Sequence, residues 1–149
     1  MEELNQLLRK LDDKYLINCG GCCFIAFCIS VHLFNLGIPY KFVCLGTEKL
    51  SSRELRNNVK RNRDYPCLEN TANHYLLQVG KEYINLGDFD LRYYDVSKTS
   101  YIKPIELLYL YRYGCWNSDY DTENNLKIYR IISDFFKPYE KETKNFTSR

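Results

Sequence analysis

Residues 18–26 read Asn18-Cys19-Gly20-Gly21-Cys22-Cys23-Phe24-Ile25-Ala26, a run of cysteines and glycines set directly before an apolar stretch. The glycine pair breaks helical propensity, so a helix is expected to begin at about Cys22 and reach Leu36, where Gly37-Ile38-Pro39 stops it. A thiol in the first turn of a helix faces unpaired N–H groups and the positive end of the macrodipole, both of which favour the thiolate. Cys22 and Cys23 hold that position.

Working outward, Met1 to Leu16 places Leu4, Leu7, Leu8, Leu11 and Tyr15 on one stripe of an amphipathic helix. Tyr40 to Leu45 reads as a strand, and its apolar content predicts a central one. Ser51-Ser52-Arg53-Glu54 offers a capping box for a polar helix running to about Arg61. Next comes a hairpin: two alternating runs, His74 to Val79 and Glu82 to Leu86, flank Gly80-Lys81, and glycine at the first central position suits a type II′ turn. Asp88 to Lys103 is expected to hold one more strand. Pro104 opens a helix reaching Tyr111, and a last helix spans Glu123 to Phe136. The tail from about Lys137 is polar and reads as frayed. With no internal repeat or linker, the order predicts one α+β domain over 1–149, its antiparallel sheet packed against the Cys22 helix.

Composition narrows the function classes. A formal charge of +2 in 149 residues is too mild to make nucleic acid or an anionic membrane the main partner. The apolar run from Cys22 to Leu36 falls short of the roughly 20 residues that span a bilayer. An acidic, amphipathic start is unlike a signal peptide, so a cytoplasmic protein is expected. Seven cysteines, an odd number, lack the pairing of a secreted scaffold, and reduced thiols are the simpler reading. Cys28 and Cys44, inside apolar segments, read as packing.

A nucleophilic thiol needs an imidazole within hydrogen-bond reach, and the chain has two histidines. His32 lies ten residues beyond Cys22 in the same helix, a rise of about 15 Å, and is excluded. His74, at the start of the hairpin, remains. A two-residue loop at Gly80-Lys81 sets Val79 opposite Glu82, Gln78 opposite Tyr83, Leu76 opposite Asn85 and His74 opposite Gly87. His74 and Asn85 then share a sheet face as diagonal neighbours, with Tyr75, Leu77, Val79, Ile84 and Leu86 lining the other face as core. The Asn85 amide can hold one ring nitrogen while the other meets the thiol. Asp88 is the reserve third member and Cys23 the rival nucleophile.

Gly20-Gly21-Cys22-Cys23-Phe24-Ile25-Ala26, followed by Leu36-Gly37-Ile38-Pro39, resembles the nucleophile helix of the transglutaminase-like branch of the papain-like cysteine proteases. The run from His74 to Asn85 resembles that family's histidine strand, glycine-lysine turn, aromatic residue and third catalytic position, with asparagine where the family often has aspartate. The resemblance covers roughly Asn18 to Asp88. It implies a papain-like, transglutaminase-like α+β domain acting as a thiol hydrolase or acyltransferase on an amide or acyl substrate. The catalytic residues would be Cys22, His74 and Asn85, working through a thioacyl intermediate. Asn18 is a further candidate for the oxyanion hole by proximity. The reading calls for no cofactor and no metal, a protein or peptide substrate, no specific nucleic acid and no membrane. It leaves open peptidase, deamidase, cross-linking and acyl-transfer chemistry.

Other readings compete. Cys19-Gly-Gly-Cys22 has the spacing of a redox pair or half a zinc site, but no second such pair completes four ligands, and a thioredoxin-type motif should follow a strand. A catalytically inactive papain-like fold could serve as a protein-binding module through the tyrosines at 93, 94, 101, 109, 111 and 113. The basic segment Arg53, Arg56, Lys60, Arg61 and Arg63 reads as a solvated helix face, since Glu48, Glu54, Asp64 and Glu69 border it.

Overall fold

The computed structural model describes residues 2–15, 22–64, 74–84, 90–111 and 122–147, with the backbone alone described at 62–64, 122–123 and 141–147. In chain order the elements are α1 (Glu2–Tyr15), α2 (Cys22–Asn35), β1 (Lys41–Gly46), α3 (Ser52–Asp64), β2 (His74–Val79) and β3 (Glu82–Ile84). A single 3₁₀ turn (Leu91–Tyr93) leads to β4 (Asp95–Ser100), α4 (Pro104–Tyr109) and α5 (Thr122–Thr147). The four strands form one sheet in the order β3-β2-β1-β4, every neighbouring pair antiparallel. The protein is therefore α+β, with β1 as the central strand its apolar sequence called for.

One face of this sheet carries the main core. Phe42, Cys44, Tyr75, Leu77 and Ile84 point to the helices, where they meet Leu4, Leu8 and Leu11 of α1 and the apolar body of α2. Leu55 and Val59 of α3, Leu107 of α4 and Ile128, Ile132 and Phe136 of α5 complete the cluster. α2 is buried on nearly every side because it packs against α4, β2 and α5 at once. The opposite face is not left to solvent. Val43, Leu45 and Leu76 form a smaller cluster closed by Tyr83, Leu91, Tyr94 and Val96.

Local signals fix the ends of the elements. At the close of α2, Ile38 N–H bonds to Leu33 C=O at 2.9 Å and Gly37 N–H to Phe34 C=O at 3.1 Å, a Schellman motif that needs the positive φ of +70° at Gly37. The capping box forms: Glu54 N–H donates to Ser51 Oγ at 3.1 Å while Ser51 N–H donates to Glu54 Oε1 at 3.2 Å. In the hairpin Gly80 has φ +59° and Lys81 does not share it, as a type II′ turn requires. The register is Val79–Glu82, Gln78–Tyr83 and Leu77–Ile84.

α3 runs to Asp64, past the expected end near Arg61, and the larger departure is at the C-terminal helix. The tail from Lys137 was expected to fray, yet α5 continues through Pro138 to Thr147. Proline removes a single intrahelical donor, and packing outweighs that loss: Tyr139 lies against Phe135 and Phe136, and Glu140 pairs with His32 of α2. Among the described residues no helix is long and apolar enough to cross a membrane.

Candidate active site

α2 starts at Cys22 and β2 starts at His74, so the helix N-terminus and the strand end meet. β2 is held in place by pairing with β1, where His74 lies opposite Leu45 and Tyr75 opposite Cys44. The Cys22 sulfur, half-buried, hydrogen-bonds with three groups: the Cys23 thiol, the His74 side chain and the Tyr75 backbone N–H. These contacts, the Cys23 thiol foremost, hold the Cys22 thiol well below its usual pKa against the opposing cost of burial. The charge that His74 can carry acts in the same direction. These surroundings thus favour the thiolate relative to an ordinary cysteine.

The neighbouring thiols behave in the opposite way. Cys23 has no solvent exposure, at 0 %, and its sulfur supports that of Cys22. Burial pushes the Cys28 thiol far up. It also pushes Cys44 up to about 12, with the negative charge of Cys22 adding to the effect. That coupling places Cys44 beside the site, which its apolar sequence setting did not signal. The strand register was the available clue, because Cys44 faces Tyr75, the residue whose N–H reaches Cys22.

The structure therefore brings together Cys22 and His74, two of the three residues singled out from the sequence. Asn85, the reserve Asp88, Asn18 and Cys19 lie outside the described residues. His32 sits elsewhere. Its Nδ1 donates to Glu140 Oε1 at 2.6 Å, Ser133 Oγ lies 3.0 Å from its Nε2, and its ring stacks on Phe136 with centroids 4.9 Å apart. At the same end of the sheet as His74, Gly46, Thr47 and Arg92 to Asp95 line a polar recess of about 420 Å³. Among the described residues no group of three or more His, Cys, Asp or Glu side chains is arranged to hold a metal ion.

A thiolate against an imidazole at a helix start can attack an electrophilic carbonyl and pass protons through the ring. Comparison with protein-family models, with curated proteins and with solved structures finds no match for this chain.

Proposed function

We propose that the protein is a thiol hydrolase or acyltransferase of the papain-like, transglutaminase-like kind, with Cys22 as nucleophile and His74 as its acid and base. The observation that carries this reading is the hydrogen bond between Cys22 and His74 at the first turn of α2, in surroundings that favour the thiolate.

In this reading the Cys22 sulfur attacks the carbonyl carbon of an amide or ester, and the displaced electron pair settles on the carbonyl oxygen. Backbone N–H groups at the start of α2 receive that oxyanion. As the tetrahedral species collapses, His74 gives a proton to the departing amine or alcohol and a thioester remains on Cys22. Water or an amine then attacks the thioester, losing its proton to His74, and the thiolate leaves. Asn85, the third residue singled out from the sequence, would orient the ring in this reading. A peptide or protein substrate fits this chemistry.

The test is direct acylation. Incubation with p-nitrophenyl acetate should add one acetyl group to Cys22, seen by intact mass and peptide mapping and removed by hydroxylamine. Cys22→Ala should abolish the adduct, and His74→Ala should slow both its formation and its breakdown. Labelling spread evenly over several cysteines would overturn the proposal in favour of a binding module that keeps the fold without the chemistry.

A further inference from the structure

The far end of the sheet, about 18 Å along α2 from Cys22, holds a groove of about 780 Å³ that the proposed chemistry does not use. Its walls are Phe34 and Ile38 from the end of α2, Pro39 and Tyr40 before β1, and Tyr101 and Ile102 after β4. This volume is in the range of small-molecule sites.

Three features make it more than a bare apolar face. The first is Gln78, which lines the groove and is 9 % exposed, with a buried carboxamide oxygen that has no hydrogen-bond partner. Such a group is a standing cost in a folded protein, and its terminal torsion is soft enough to turn the oxygen toward a donor in the groove. The second is charge. Lys41 and Lys103 stand on the lining, and among the described residues no carboxylate does; the nearby Glu106 is engaged by the backbone N–H of Lys103 at 2.7 Å. The third is the way the walls are held. Tyr40 donates its hydroxyl to the carbonyl of Ile102. Tyr101, 86 % exposed, is kept at φ +67° with the Arg56 guanidinium 6.0 Å from its ring centre and Arg56 bonded to the Ser100 carbonyl.

We propose that this groove binds a small amphipathic acid: an apolar chain or ring against Phe34, Ile38 and Ile102, an amide N–H or hydroxyl given to Gln78, and a carboxylate toward Lys41 and Lys103. An N-acylated amino acid has all three parts in the right order. The site is separate from Cys22 and stands whether or not Cys22 is catalytic.

N-decanoylglycine is the probe, with decanoate as the partner lacking an N–H and N-decanoylglycine methyl ester as the one lacking charge. Titration calorimetry should give saturable micromolar binding of N-decanoylglycine, weaker for both analogues. Amide shifts in two-dimensional NMR should concentrate at Ile38, Gln78 and Ile102 and spare Cys22 to Ala26. Gln78→Leu should weaken N-decanoylglycine about fivefold to tenfold, the effect of one lost hydrogen bond, and leave decanoate unchanged. Phe34→Ala, at a side chain 55 % exposed and so safe for folding, should weaken all three ligands. Cys22→Ala should bind as wild type. No saturation by about 1 mM, or binding indifferent to Phe34→Ala, overturns the site. Equal loss of N-decanoylglycine and decanoate in Gln78→Leu overturns the role of the amide.

Discussion

At the first turn of α2 the Cys22 sulfur meets His74, whereas some three turns further on His32 of the same helix is closed between Glu140 and Ser133 of α5. Both histidines are buried, at 2 % and 6 % exposure. What differs is the company each keeps. His32 has a carboxylate on one nitrogen, a hydroxyl beside the other and a phenyl ring on its face, so it ties two helices together and has no nitrogen left for chemistry. His74 lies against a sulfur whose thiolate form it stabilises. A buried histidine thus supports a thiolate or ties two helices together according to which partner the fold brings to it.

Breaking the first end should give the largest effect. His74→Ala removes one hydrogen bond and one charge that favour the thiolate but leaves those from Cys23 and Tyr75, so iodoacetamide labelling of Cys22 at pH 6.5 should slow by about tenfold or more, as for a thiol moved part of the way back to its ordinary pKa. Breaking the second end should do the reverse. His32→Ala leaves Glu140 and Ser133 without their partner and opens a gap on Phe136. It should therefore cost about 2–3 kcal/mol in urea unfolding while the Cys22 labelling rate stays within about twofold. A fall in labelling in His32→Ala as steep as in His74→Ala would erase the distinction between the two ends.

The thiols sharpen the comparison through pH. Cys44 has a folded pKa raised to about 12, above the roughly 8.5 of an unfolded cysteine. The folded state therefore holds its proton more tightly, and this contribution to stability is complete below about pH 8.5 and declines as pH rises toward 12. Urea midpoints measured from pH 8 to 11 should fall, and Cys44→Ala should remove up to about 1.4 kcal/mol of that decline per pH unit. Identical slopes in the two proteins would show that Cys44 titrates normally. The smallest effect belongs to Glu140→Gln, which keeps a hydrogen bond to His32 at a carboxylate that is 32 % exposed. A loss of about 1 kcal/mol or less is expected, read as a shift of a few degrees or less in the melting temperature.

The sequence was most informative where one chemical period ruled a segment. The stripe of Leu4, Leu8 and Leu11, the continuous apolar run of α2 and the Gly80-Lys81 turn each specify an element locally, and the turn fixes the register that puts His74 at the end of β2. Cys22 could be singled out because helix starts and imidazoles act on thiols by known local rules. Cys44 could not, since its closeness to Cys22 exists only after β1 and β2 pair. The extension of α5 was equally hidden: Pro138 and the charged residues around it argue against a helix, and its support includes the pairing of Glu140 with the distant His32, which appears only in the folded chain. The second small core escaped notice for a related reason. Leu76 belongs to a cluster with Val43 and Leu45 of β1, and Leu91 and Tyr94, from beyond the hairpin, pack against that cluster. Arg56 belongs with these cases, a charge in a polar helix that turns out to hold Ser100 and Tyr101.

The most direct test of a Cys22–His74 pair is the pH profile of alkylation, measured thiol by thiol with iodoacetamide and mass spectrometry between pH 4 and 10. For Cys22 the rate should show an inflection well below the ordinary thiol value of about 8.5, as its lowered pKa requires. Cys28 and Cys44 should remain unlabelled across the neutral range, as their burial and raised pKa require. An inflection for Cys22 at or above about 8.5, or a Cys22 rate no faster than that of Cys28, would contradict the pairing.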